Sequence, residues 1–171
     1  YCSDITSIQL SGTRSGKFPV KWSSSGSGSF LPSDTVLTAR YIPSSSDLSS
    51  TGFKLTLSSN GTSCPNNSAA IDISMLAAPR VEAGSDIVIC NDTPSVRLNG
   101  QLLNNRATGG FWTTTAGGTI NPNDLVATYT PKAGEKGTFT FYLTTTGNGI
   151  CKEVRDSLKL TINDRPAIIV T

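Results

Sequence analysis

The sequence predicts an all-β protein made of two tandem antiparallel β-sandwich repeats, each closed by one internal disulfide. Three observations predict it: runs that alternate apolar and polar residues, turn residues between those runs, and four cysteines whose surroundings recur about 88 residues apart. Alternation with a period of two buries one face of a strand and leaves the other wet. Ser and Thr make up roughly a quarter of the chain, which suits strands with hydroxyl-rich outer faces and frequent turns. No stretch sustains helical periodicity.

In chain order, the first copy opens at Tyr1-Cys2 and continues to Gln9-Leu10-Ser11-Gly12. Trp22 follows as a core residue, then Pro32 and the run Ala39-Arg40-Tyr41-Ile42-Pro43. Phe53, Leu55 and Leu57 interleave with Lys54, Thr56 and Ser58, and Ile71, Ile73 and Met75 close the copy. The second copy begins with Arg80-Val81-Glu82-Ala83-Gly84, a stretch the first copy lacks. The strand Asp86-Ile87-Val88-Ile89 then ends at Cys90. Arg97-Leu98-Asn99-Gly100 answers Gln9-Leu10-Ser11-Gly12, Trp112 answers Trp22, and Pro122 answers Pro32. Ala127-Thr128-Tyr129-Thr130-Pro131 answers the Tyr41 run. Phe139, Phe141 and Leu143 alternate with Thr138, Thr140 and Tyr142, and Leu158, Leu160 and Ile162 answer Ile71, Ile73 and Met75.

Asn99-Gly100, Gly109-Gly110, Gly117-Gly118, Asn121-Pro122 and Gly147-Asn148-Gly149 mark the turns. About seven short strands per copy, spaced by such turns, indicate an Ig-like sandwich. The organisation expected is a repeat over 1–78 with its first strand missing, a repeat over 79–165, and the start of a third over 166–171. Only Ala77-Ala78 separates the copies ahead of Pro79, so end-to-end units with limited hinging are expected, in a window from a longer array.

Cys2 and Cys64 lie 62 positions apart, Cys90 and Cys151 lie 61. The near-equal intervals predict the bridges Cys2–Cys64 and Cys90–Cys151, and hence an oxidising compartment. The alternative is free thiols in a reducing one. Closing a loop of about 60 residues contributes roughly 4 kcal/mol in the chain-entropy picture.

The composition removes several classes of function. There is no histidine, which takes away the commonest general base and the usual zinc or copper ligand. A net charge of +2 gives no long-range field for nucleic acid. No apolar run approaches the length of a membrane span. No nucleophile has a base nearby, no phosphate loop appears, and no catalytic residue, metal or cofactor is expected.

The stretches Ala107-Thr108-Gly109-Gly110-Phe111-Trp112-Thr113-Thr114, Gly117-Gly118-Thr119-Ile120-Asn121-Pro122 and Leu143-Thr144-Thr145-Thr146-Gly147-Asn148-Gly149-Ile150-Cys151 resemble the Ig-like repeats of giant Bacteroidetes cell-surface adhesins, gliding-motility adhesins among them. The resemblance covers almost all of the second copy. In the first, Ser24-Ser25-Gly26-Ser27-Gly28 replaces the Thr/Gly turn, and Ser59-Asn60-Gly61 shortens the hairpin. The resemblance implies type IX secretion, display at the outer membrane, and a non-enzymatic role in gliding and attachment. The partners it implies are neighbouring repeats of the same chain, surface polysaccharide, and other surface or motility proteins. The alternative functions are a carbohydrate-binding module pair appended to a secreted glycan-degrading enzyme, and a stalk or surface-layer component with no adhesive role.

Among candidate sites, alternation puts Phe111 and Tyr142 on the outer face, because Trp112 and Leu143 point inward; outward aromatics can stack on sugars. Trp22 and Trp112 occupy equivalent inward positions and read as core. Asp86, Asp92 and Asp124 lie near strand ends without the spacing of a calcium loop, which favours solvated turn aspartates. Asp34-Thr35-Val36 and Asp156-Ser157-Leu158 fit the Asp-Ser/Thr-apolar O-glycosylation pattern that the resemblance brings with it. Asn60, Asn66 and Asn91 head Asn-x-Ser/Thr triplets.

Overall fold

The computed structural model describes residues 1–59 and 67–168. Cys64, Asn60, Asn66 and part of the expected third opening strand lie outside the described residues. The chain forms two compact units, Tyr1–Ala78 and Pro79–Thr171. Both are Ig-like β-sandwiches.

The first unit contains β1 (Ile8–Gln9), β2 (Val20–Ser24), β3 (Ser29–Leu31), β4 (Arg40–Ile42), a five-residue helix α1 (Ser45–Ser49), β5 (Gly52–Ser59) and β6 (Ser68–Ser74). One sheet runs β2-β5-β6 and the facing sheet β1-β4-β3, all antiparallel. The second unit contains β7 (Val81–Glu82), β8 (Ile87–Cys90), β9 (Val96–Asn99), β10 (Gln101–Leu102), β11 (Gly109–Thr114), β12 (Thr119–Ile120), β13 (Val126–Thr130), β14 (Gly137–Thr146) and β15 (Arg155–Asn163). Its sheets run β11-β14-β15-β8 and β12-β13-β9, with a β7-β10 ribbon alongside. The strand order of the first unit is thus repeated within the second. The exposure pattern of residues 21–30 is reproduced position for position over 111–120.

The alternation read from the sequence corresponds to the faces observed. Phe53 and Leu55 are buried while Lys54 between them is exposed, and Phe141 and Leu143 are fully buried. Trp22 and Trp112 sit in the two cores, at equivalent places opposite Leu57 and Leu143. Each indole Nε1–H donates to a backbone carbonyl across the sandwich, Val36 at 3.0 Å and Leu125 at 3.1 Å. That satisfies the polar atom of an otherwise apolar side chain.

Three features differ from expectation. First, β8 pairs with β15 in parallel, in the register Leu160↔Ile87 to Asn163↔Cys90, so the large sheet is mixed. Second, this pairing removes the expected Cys90–Cys151 bridge. Cys90 sits beside Asn163 at the end of β15, whereas Cys151 lies in the loop that precedes β15. Eight strand steps separate Asn163 from Arg155, roughly 26 Å, and a disulfide requires Cα atoms within about 7 Å. Cys90 is a free, exposed thiol. Cys151 is disulfide-bonded with a cysteine other than Cys90, and Cys2 is also disulfide-bonded. The expected Cys2–Cys64 pair involves a residue outside those described.

Third, Ile71 is 46% exposed although its counterpart Leu158 is 2% exposed. In the second unit Val81 and Ala83 join the same core cluster as Leu158. Among the described residues, the first unit has no counterpart of these two. Substituting alanine should therefore separate the two positions. Leu158→Ala should cost about 2–5 kcal/mol as a buried deletion, and Ile71→Ala under about 1 kcal/mol. Urea unfolding of the two variants checks this.

Candidate functional site

The most constrained polar site appears once in each unit. Tyr41 and Tyr129 lie on β4 and β13 and are fully buried. Their rings are wedged among aromatics: Tyr41 has Phe30 at 5.0 Å and Phe53 at 5.2 Å, and Tyr129 has Phe141 edge-on at 4.7 Å. A buried hydroxyl must find partners or forfeit its desolvation energy. Each finds a carboxylate six residues further along the chain. Tyr41 Oη donates to Asp47 Oδ2 at 2.8 Å, and Tyr129 Oη donates to Glu135 Oε2 at 2.5 Å.

A glycine turn completes the arrangement. The amides of Gly28 and Gly118 donate to the two tyrosine oxygens at 2.8 and 3.0 Å. The amides just before them, Ser27 and Gly117, donate to Asp47 Oδ1 at 2.9 Å and Glu135 Oε1 at 2.5 Å. The carboxylates also accept from Ser44 N at 3.0 Å and Lys132 N at 3.1 Å. Glycine is required sterically: a Cβ on Gly28 or Gly118 would stand 2.2 Å from the carbonyl oxygen of Ile42 or Thr130. The aspartate, one methylene shorter, is brought within reach by α1. Asp47 is its N3 residue and forms a capping box with Ser44. Glu135 reaches from a turn without a helix.

Electrostatics follow from this packing. Burial is the largest influence on Tyr129, and with the Glu135 hydrogen bond it pushes the phenol up to about 12. Tyr41 is raised for the same leading reason. Burial alone would raise Asp47 and Glu135, but the hydrogen bonds they accept outweigh it and hold both below the ordinary carboxylate range. The sequence showed Tyr41 answering Tyr129 without disclosing the acid partners. The common six-residue spacing to Asp47 and Glu135 was the available signal.

The candidate surface residues are placed as follows. Phe111 is 36% exposed and Tyr142 half-buried. Phe111 pairs with Thr144 and Tyr142 with Thr113, so the two aromatics are diagonal neighbours on one face, roughly 7–8 Å apart. The Arg155 guanidinium stacks 4.5 Å above the Tyr142 ring. The candidate calcium aspartates do not converge. Asp86 caps Lys159 N at 2.8 Å, Asp92 pairs with Arg165 at 3.0 Å, and Asp124 accepts from Leu125 N at 2.6 Å. No metal-type cluster occurs among the described residues. Thr35, Ser157 and Asn91 are exposed. In the first unit a groove of about 340 Å³ lies between Arg14, Phe18, Leu57 and Asn67. Among the described residues, no helix is long and apolar enough to cross a membrane.

No protein-family model and no curated protein matches the chain. Solved structures similar to it include extracellular domains 3–5 of Drosophila OTK, at 11% identity and a TM-score of 0.50, covering 95% of this chain and 58% of that one. The PKD domain from KIAA 1837 protein is similar at 22% identity and a TM-score of 0.44, covering 53% of this chain and 92% of that one. The D00-D0 domain of intimin is similar at 10% identity and a TM-score of 0.44, covering 94% of both. The structural neighbours are Ig-like, cadherin and PKD-type extracellular adhesion domains at low identity, and what the likeness shows for this chain is the fold.

The tyrosine–carboxylate pair makes stability depend on pH at both ends. Asp47 and Glu135 have folded values below their unfolded ones, so their contribution is present above about pH 4 and is lost as pH falls through the lowered values. Tyr129 is raised, so its contribution is present below pH 10 and is lost as pH rises towards 12. Urea unfolding across pH should show both limbs, and Glu135→Gln should reduce the acid one to the part that Asp47 supplies. Tyr129→Phe should cost about 1–3 kcal/mol at neutral pH by stranding a hydrogen-bonded carboxylate.

Proposed function

We propose that this chain is a structural, non-enzymatic repeat segment of a large surface-exposed bacterial adhesin filament acting in gliding motility and attachment, like the gliding adhesin SprB. One observation carries the reading: the buried tyrosine, its carboxylate and its glycine turn are built twice, at the same spacing, in two units of the same strand order. An interior built on one plan in both units, with differing outer faces, suits a module used many times for reach. The repeats are 1–78 and 79–165, with 166–171 opening a third. The same reading gives type IX secretion, display at the outer membrane, and neighbouring repeats, surface polysaccharide and motility proteins as partners.

A second reading, a carbohydrate-binding pair on a secreted enzyme, is favoured by the Phe111, Tyr142 and Arg155 face. Two measurements separate them. Antibody against residues 1–171 should label intact, unpermeabilised cells, and blocking with it should reduce attachment; labelling only after permeabilisation overturns the first reading. On a glycan array the chain should show no binding that depends on Phe111 and Tyr142. Binding abolished by Phe111→Ser with Tyr142→Ser would replace the first reading with the second.

A further inference from the structure

We propose that Cys90 is one half of a disulfide to the hairpin-loop cysteine of a further repeat of this type, following the second unit. The inference rests on the array reading above and adds the covalent link between repeats. The two cysteines of the second unit stand at opposite poles. Cys90 belongs to the exit pole, where the chain leaves. Asn91 N donates to Asn163 O at 2.8 Å, Asn91 Nδ2 to Asp164 Oδ1 at 3.0 Å, and Arg165 pairs with Asp92 at 3.0 Å. These contacts clasp residues 90–92 onto 163–165. Cys151 belongs to the entrance pole. Ala83 N donates to Asp156 Oδ2 at 2.8 Å, beside the loop that Thr145 and Val154 close through Thr145 N to Val154 O at 2.9 Å. A following repeat with the same layout would carry its loop cysteine at its own entrance, towards Cys90.

Two further observations point to a covalent partner. Cys2 is the counterpart of Cys90 and occupies the same place in its unit, bridged in parallel to Leu76 as Cys90 is to Asn163. Cys2 is disulfide-bonded and 3% exposed, while Cys90 is free and exposed. The loop cysteine Cys151 is itself disulfide-bonded, and not to Cys90. So both positions of the repeat take part in disulfides, and the loop position does so without its own unit's other cysteine. Joining the thiols forms one Sγ–Sγ bond. Their two protons and two electrons pass to the disulfide of an extracytoplasmic thiol oxidase, which leaves as its dithiol.

The test is non-reducing peptide mapping of the full-length protein as its native cells export it, alkylated with iodoacetamide before trypsin. Peptide 81–97, which carries Cys90, should be linked to a cysteine peptide from a following repeat and carry no alkyl group. In the isolated 171-residue chain the same peptide should be fully alkylated. Cys90→Ser in the full-length protein should expose one alkylatable cysteine in that following repeat. Recovery of 81–97 as the alkylated thiol from the exported protein, or linked to peptide 137–152, overturns the proposal. If the gene encodes further copies and 81–97 is still alkylated, the link fails while the array reading stands. If it encodes none, the array reading fails and takes the link with it.

Discussion

A buried tyrosine hydroxyl is the constraint from which the rest of each unit can be read. Tyr41 and Tyr129 belong to the smaller sheet, and their carboxylate partners lie on the connections leading to β5 and β14 of the larger one. The amides that complete the site come from the turns between β2 and β3 and between β11 and β12. One oxygen and one carboxylate thus tie together two of the crossings between the sheets. In a low-dielectric interior these bonds are strong when complete and costly when broken. That accounts for glycine at the turn, aromatics around the ring, and an acid that cannot be moved.

The alternating strands were legible from the sequence because burial imposes a period of two. Phe53-Lys54-Leu55 and Leu158-Lys159-Leu160 are patterns of that kind. The tryptophans were legible too, since an inward residue opposite another apolar one leaves a paired signature. Strand direction was not. A cysteine interval of 61 residues is equally compatible with one pole or two, and the parallel alignment of β8 on β15 decides the matter. The carboxylate partners are not legible in the sequence, because aspartate on a helix and glutamate on a turn reach the same point by different backbones. Ile71 reads as core from the sequence because its neighbours alternate correctly; what covers Leu158 is Val81 and Ala83, far away in sequence.

The outer faces diverge where the interiors agree. The second unit presents Phe111 and an arginine-capped Tyr142, and the first presents Lys21 and Thr56 at the matching places. Lys21 is partnered by Asp34 at 3.5 Å, an exposed pair of small energetic weight. Selection on the interior is a packing requirement common to both units, whereas the faces are free to specialise.

The parallel seam between β8 and β15 has a mechanical meaning. A chain under tension would be drawn one way ahead of β8 and the other way after β15. The two strands would then slide along each other, so the hydrogen bonds from Ile87 to Cys90 would be loaded together in shear instead of peeling one at a time.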